Sequence, residues 1–191
     1  MALDPVTLTG IFTSSLNANS LLGATIPQLA GAVANGLIAH AASGITVVTV
    51  DTGLAGSGTG IGFGIILATP VLQGTLSASL AGASMLGTAA IQLANALAAG
   101  FSQALGMANI NTIHAGVGSG TGVVTLVPSS GIMAFSGAFA GAGLVGVSAN
   151  ILASAIATGF DSALSLATGV VTITGAAGSS PGSGSGSGLI S

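Results

Sequence analysis

Hydrophobic residues recur at every fourth position in three well-separated segments of the chain. In the first segment they are Leu29, Val33 and Leu37. This spacing places them on one face of an α-helix, as in an amphipathic helix that packs on a core. The matching positions of the other two segments hold Leu93, Leu97, Phe101, Leu152, Ile156 and Phe160. The sequence therefore predicts three amphipathic helices with equivalent buried faces.

A stripe of small residues runs beside each hydrophobic stripe. Its members are Ala32, Gly36, Ala96, Gly100, Ala155 and Gly159. Glycine inside a helix costs about 1 kcal/mol relative to alanine. Its recurrence at one register therefore predicts that backbones approach each other closely there. The alternative is the abundance of glycine, which contributes 33 of the 191 residues.

Segments with a two-residue period predict strands around each helix. The run from Thr7 to Thr13 alternates polar and apolar residues, as a half-buried strand does. Further runs, rich in β-branched residues, follow the helices or the glycine-rich stretches, at residues 45–49, 61–67, 110–114, 123–127 and 170–174. Each unit is thus predicted to be strand, helix, strand, glycine-rich turn and strand, which gives an α+β fold.

These units form three internal repeats of about 60 residues. We expect one domain over residues 1–191, with repeat 1 at 5–69, repeat 2 at 70–127, and repeat 3 at 128–191 including a Gly/Ser-rich C-terminal tail. Three helices and three small antiparallel sheets are expected around a pseudo-threefold axis. The tail is expected to complete the sheet begun by the N-terminal strand or to join a neighbouring subunit. A flexible linker is the alternative.

Charged residues are almost absent, and this excludes several classes of function. An average protein is about 25% charged, whereas this chain has three Asp and no Lys, Arg, Glu or Cys. Nucleic-acid binding needs cations that replace phosphate counterions, and disulfide, thiolate or zinc-ribbon chemistry needs cysteine. A surface with so little charge lacks the repulsion that keeps monomers apart, so it favours association.

Five titratable side chains are the candidates for chemistry. They are His40, His114, Asp4, Asp51 and Asp161, and none recurs at the same position of another repeat. We therefore expect no catalytic, cofactor-binding or metal-binding residues and no cofactor, and we expect each histidine to be hydrogen-bonded or solvent-facing. A spatial His–Asp–Ser arrangement is the catalytic alternative.

Two glycine-rich runs resemble phosphate-binding loops only superficially. They begin at Gly56 and Gly118, and neither is followed by the Lys-Ser/Thr pair of a phosphate loop. We interpret both runs as turns that lead into strands.

These features predict a structural protein and no enzyme. The hypothesis is a self-associating subunit, either a decoration, collar or tail-associated component of a phage or virus-like particle, or an extracellular fibre or sheath subunit. Its partners would be copies of itself and other structural proteins, with no nucleic acid, and a membrane is not expected as a partner. The alternative is a membrane-inserting or lipid-associated protein, and a third interpretation is a module that binds an uncharged polymer. No signal peptide is visible, so we expect synthesis in the cytoplasm and a final location in a virion or extracellular particle.

Overall fold

The computed structural model describes residues 4–54, 57–66, 69–114, 120–125, 128–166, 168–175 and 182–190. Side chains are described for residues 4–40, 69–108 and 130–166. All statements below about side chains refer to these three segments.

Six helices form three antiparallel hairpins in the described chain. They are α1 (Pro5–Ala18), α2 (Ile26–Gly44), α3 (Thr69–Gly82), α4 (Thr88–Gly106), α5 (Pro128–Gly141) and α6 (Val147–Leu166). Each hairpin joins a short helix to a longer one. Every helix contacts the next along the chain, and α6 also contacts α1, so the six helices close into a ring.

Six strands follow the hairpins in pairs. They are β1 (Ile45–Leu54), β2 (Ser57–Ile66), β3 (Asn109–His114), β4 (Gly120–Thr125), β5 (Thr168–Gly175) and β6 (Gly182–Ile190). All neighbouring strands are antiparallel, and β6 pairs with both β5 and β1 to close a barrel. The order helix, helix, strand, strand therefore occurs three times along the chain.

The predicted α+β fold of strand–helix–strand–turn–strand units is wrong. The segments that open the units are the helices α1, α3 and α5, and the residues with described side chains contain helices and turns but no strand or sheet. Three separate small sheets are also wrong, because the strand pairing forms one barrel. The tail strand β6 pairs with β1, whereas the N-terminal segment that it was expected to join is helix α1.

The error over Thr7–Thr13 has a physical reason. Leu8, Phe12 and Leu16 are buried and lie four residues apart, so a helical period is present beneath the alternation of polar and apolar residues. The side chain of Asp4 caps this helix, and Pro5 occupies its first turn, where proline is favoured. These start signals favour a helix over a strand.

Four phenylalanine rings lie at the centre of the helical ring. Their side chains are at most 3% exposed and come from α1, α4, α5 and α6: Phe12, Phe101, Phe135 and Phe160. The ring centroids of Phe101 and Phe160 are 4.8 Å apart, and those of Phe101 and Phe135 are 5.0 Å apart, both in edge-to-face geometry. Such pairs contribute about 0.5–1.5 kcal/mol each beyond their burial. The cluster therefore connects the first hairpin to the second and third.

Each long helix contacts the following short helix at its interior glycine. A Cβ atom added to Gly36 would lie 2.8 Å from Cδ2 and 2.9 Å from Cα of Leu76 on α3. Gly159 faces the ring of Phe12 in the same way, and Gly100 faces the ring of Phe135. The predicted close approach of backbones holds at Gly36, where Cα of Leu76 is one of the contacts, whereas at Gly100 and Gly159 the neighbour is a phenylalanine ring. We call these three contacts the glycine junctions.

Hydroxyl groups add hydrogen bonds across two of the glycine junctions. Oγ1 of Thr75 donates to the carbonyl oxygen of Gly36 over 2.9 Å. Oγ of Ser15, which is buried, donates to the carbonyl oxygen of Ala155 over 2.6 Å. The absence of a side chain at the glycine lets the helices approach closely enough for these contacts.

A glycine junction is expected to reject even a methyl group. Gly36→Ala should lower the free energy of unfolding by about 1–3 kcal/mol, because the backbone of Leu76 must move to admit the new atom. The matched control is Gly74→Ala on α3, where no atom lies within 4 Å of the added Cβ. This control should raise stability by about 0.5–1 kcal/mol through helix propensity. Urea unfolding followed by circular dichroism measures both changes, and equal effects would contradict the close packing.

Candidate functional site

The five titratable residues are distributed over different elements of the fold. Asp4 precedes α1, His40 is on α2, Asp51 is on β1, His114 is on β3 and Asp161 is half-buried on α6. Within the described chain, no group of three or more such residues could hold a metal ion.

The strand register places two of these residues on either side of β2. Asp51 is paired with Gly60, and His114 is paired with Gly58, two residues away on the same strand. The structure describes the backbone of Asp51 and His114 but not their side chains. Sequence spacing did not indicate this neighbourhood, because it depends on the pairing of strands far apart in the chain.

The interpretation of the two glycine-rich runs as turns is wrong for most of their residues, because residues 57–60 lie in β2 and residues 120–122 lie in β4. The run that begins at Gly56 enters β2 at Ser57, and the run that begins at Gly118 enters β4 at Gly120. Their remaining residues, and those of the stretch before β6, lie outside the described residues. Neither run leads into a helix N-terminus, which a phosphate loop requires.

His40 is buried in the helical body without a hydrogen-bond partner. Its side chain is 2% exposed, and neither Nδ1 nor Nε2 has a partner among the atoms that the structure describes. The expectation of a hydrogen-bonded or solvent-facing histidine is therefore wrong for His40. Buried polar atoms without partners cost about 1–3 kcal/mol each. Ala104 and Ala163, also buried, occupy the corresponding positions of α4 and α6, so an apolar residue is compatible with this register.

Asp4 has a structural role at the start of α1. Oδ1 accepts hydrogen bonds from the backbone N–H groups of Val6 (3.0 Å) and Thr7 (2.9 Å), and Oδ2 accepts one from the hydroxyl of Thr7. The hydroxyl and then the backbone N–H of Thr7 are the main causes that lower the pKa of Asp4 below its ordinary value. This carboxylate is an N-cap, and its hydrogen bonds fix it to the helix end.

Two open grooves follow boundaries between neighbouring hairpins. One has a volume of about 550 Å³ and lies between α1 and α6, where Thr7, Ser14 and Ser162 line it. The other, of about 400 Å³, lies between α2 and α3 beside Gln28 and Asn35. No aspartate or histidine lines either groove. Hydroxyl and amide groups there can contact an uncharged partner, but they supply no acid or base.

Large hydrophobic side chains are exposed in two regions of the helical body. One group lies at the turns within the hairpins and includes Leu22, Leu86 and Val145. The other lies near the starts of the short helices and includes Val6 and Val71. Neither group was predicted, although the turn residues follow a pattern that recurs in each repeat, namely two hydrophobic residues directly before Gly23, Gly87 and Gly146.

One helix of the described chain is long and apolar enough to span a membrane. It is Val147–Leu166, and 44% of its most apolar window is buried inside the protein. Its buried residues include Ile156 and Phe160. Core helices of soluble proteins meet the same criteria, so this helix is weak support for a membrane protein.

His40 is expected to contribute nothing that an apolar side chain of similar size could not. His40→Leu removes two unpartnered nitrogens, so the free energy of unfolding should stay unchanged or rise by about 1 kcal/mol. Leu37→Ala, one turn away on the same helix, should lower it by about 2–5 kcal/mol. Urea titration of both variants tests this, and a large loss for His40→Leu would show that the imidazole has a polar partner.

The ionisation of Asp4 should make the stability of the protein depend on pH in the acidic range. Its pKa is lower in the folded than in the unfolded chain, so its stabilisation is present above the ordinary carboxyl pKa and is lost as pH falls through the folded value. Asp4→Asn keeps a capping oxygen without a charge. Melting temperatures of wild type and Asp4→Asn should therefore differ at neutral pH and converge in acid, as Asp4 becomes protonated in the folded protein, whereas Asp4→Ala should remain below Asp4→Asn in both conditions. A difference that does not change with pH would contradict this role.

Comparison with protein-family models, curated proteins and solved structures gives no match for this chain.

Proposed function

We propose that this chain is a structural subunit that associates with copies of itself in a larger assembly. Such an assembly would be a phage or virus-like particle, in which the chain serves as a decoration, collar or tail-associated component, or an extracellular fibre or sheath. The observation that carries the proposal is the outer face of the helical ring. That face exposes small uncharged residues together with several large hydrophobic ones.

The outer faces of the short helices illustrate this surface. Gly10 and Ser14 are exposed on α1, Gly74 and Ala78 are exposed on α3, and Gly137 is exposed on α5. Small side chains lose little conformational entropy when they are buried. They also allow the helix of another molecule to approach closely, as the glycine junctions do within the molecule.

Low charge supports association as well. Burying a charge at an interface is costly unless a partner neutralises it, and the whole chain carries three Asp and no basic side chain except two histidines. Almost any face of the helical ring can thus be buried without desolvating an ion. The exposed Val6, at 82%, and Met133, at 65%, would gain apolar contacts on burial.

Lysine on the outer helix faces should dissociate the assembly without unfolding the protein. Ala78 and Ala140 are exposed on α3 and α5, so Ala78→Lys/Ala140→Lys adds charge while retaining helix propensity. Light scattering of detergent-free protein, with concentration taken from refractive index because Trp and Tyr are absent, should show oligomers for wild type and smaller species for the variant. Ala78→Ser/Ala140→Ser is the matched uncharged control and should assemble like wild type.

Negative-stain microscopy of the same fractions would reveal rings, shells or fibres. A wild-type protein that stays monomeric at every concentration would overturn the proposal. Wild type found only in the membrane fraction, and soluble only in detergent, would favour the membrane alternative, for which Val147–Leu166 is the candidate helix.

A further inference from the structure

The turns within the three helical hairpins all lie at one end of the ring. The long helices α2, α4 and α6 lead towards the strands β1, β3 and β5. Because each hairpin is antiparallel, the turn between its helices lies at the end away from the barrel. We call this end the tip and define it by the turn residues 19–25, 83–87 and 142–146.

One large hydrophobic residue is exposed at the same position of each turn. Leu22 is 77% exposed, Leu86 is 75% exposed and Val145 is 75% exposed. The residue before each of them, namely Leu21, Met85 or Leu144, packs against the core. Each turn therefore anchors one hydrophobic side chain and leaves the next one in solvent, three times over.

Backbone hydrogen bonds hold these exposed residues in a fixed position. The N–H of Leu21 donates to the carbonyl oxygen of Leu16 (3.1 Å), and the equivalent bonds from Met85 to Leu80 and from Leu144 to Phe139 are both 2.9 Å. The residue before each donor has a positive φ, of 63° at Ser20, 63° at Ser84 and 79° at Gly143. This combination is the Schellman motif, which closes a helix end firmly.

Two of the three left-handed positions are serine, which is unusual. Left-handed backbone costs an L-residue roughly 1–2 kcal/mol that glycine avoids. Ser20 and Ser84 nevertheless hold this conformation, so the surrounding contacts determine the geometry of the turns. The tip thus carries three exposed hydrophobic side chains on turns that share the same hydrogen bonds and left-handed backbone position.

The charge around the tip limits what can cover it. Residues 19–28, 83–92 and 142–151 contain no charged side chain, so a charged partner would be desolvated without a counter-charge. Proteins that bind a lipid surface usually anchor to it through Trp, Tyr, Lys and Arg, and the chain has none of these residues. An uncharged apolar surface complements the tip best, and the tip of a second copy is such a surface.

We infer that two copies of this chain meet tip to tip, with Leu22, Leu86 and Val145 of one copy against the same residues of the other. A two-fold axis relates the copies, so the same patch serves both sides of the contact. The inference rests on the proposed self-association and names one interface of it. Three aliphatic side chains bury less than the roughly 800 Å² per partner of a stable interface, so the contact is weak alone and gains strength from other contacts in an assembly.

Lysine at the tip tests the contact through charge repulsion. Leu22→Lys/Leu86→Lys/Val145→Lys should raise the dissociation constant of the tip contact at least tenfold in sedimentation velocity, and circular dichroism should show an unchanged fold because the replaced side chains are exposed. The matched control is Ala39→Lys/Gln103→Lys/Ser162→Lys. These three positions are exposed near the opposite ends of the long helices, and the control should stay within twofold of wild type.

A single cysteine gives a second, position-specific test. The chain has no cysteine, so Leu86→Cys carries one thiol at the tip, and a short bis-maleimide should link two copies covalently. Gln103→Cys, at the other end of α4, should yield no such dimer.

The outcomes separate this inference from the proposed function. Weakened association of the tip variant together with the Leu86→Cys dimer supports the contact. The tip contact alone is overturned if wild type associates, the tip lysines change its dissociation constant by less than twofold, and Leu86→Cys gives no cross-linked dimer. Wild type that never associates overturns both. The inference is also overturned if wild type floats with uncharged phosphatidylcholine vesicles, the tip lysines abolish this flotation, and no dimer forms. The partner of the tip would then be a lipid surface and not a second copy.

Discussion

The ring of helices depends on the three glycine junctions, at each of which a large side chain packs directly against a glycine of the neighbouring helix. At each glycine junction, a leucine or phenylalanine of a short helix lies where any side chain on the neighbouring long helix would collide with it. Two of these residues, Phe12 and Phe135, also belong to the central aromatic cluster. The contact that joins neighbouring hairpins thereby also positions the core. A change at Gly100 or Gly159 therefore affects both the contact between two hairpins and the aromatic cluster at the centre of the molecule.

The helical body obtains its stability with very little electrostatics. Apart from the cap that Asp4 forms on α1, the contacts described above are apolar burial, edge-to-face rings and hydrogen bonds from hydroxyl groups to backbone carbonyls. Such contacts respond weakly to ionic strength. They also leave the outer surface free of the ion pairs that would otherwise have to be broken when two molecules pack together. The near absence of charged residues therefore underlies both the way the helical body is stabilised and its proposed capacity to associate.

The sequence predicts the long helices well because their buried positions are four residues apart over several turns. Gly36 and its equivalents could also be predicted as close contacts, since glycine at one register of three helices needs a reason. The short helices could not be separated from strands by pattern alone, because Leu8 and Phe12 fit both periods in a short segment. The signal of Asp4 followed by Pro5 would have decided the matter.

Features that depend on distant parts of the chain were beyond sequence analysis. Closure of the barrel is set by the pairing of β6 with β1, which the spacing of residues does not encode. The burial of His40 without a partner was also missed, because the corresponding alanines gave no indication of how tightly that end of the helix is enclosed. The exposure of Leu22 and its equivalents was not predicted either, because hydrophobic residues are ordinarily expected in the core.

Closure of the ring between α6 and α1 has a consequence for the order in which the molecule folds. The hydrogen bond from Thr75 to Gly36 joins residues 39 positions apart, whereas that from Ser15 to Ala155 joins residues 140 positions apart. If each contact formed alone, the longer loop would cost about 1 kcal/mol more conformational entropy. The first and last hairpins thus meet most favourably after the junctions between sequence neighbours have drawn them together. Until then the surface of α6 at Gly159 is uncovered. Helix α1 of the same chain then competes with α1 of any neighbouring copy to pack against it.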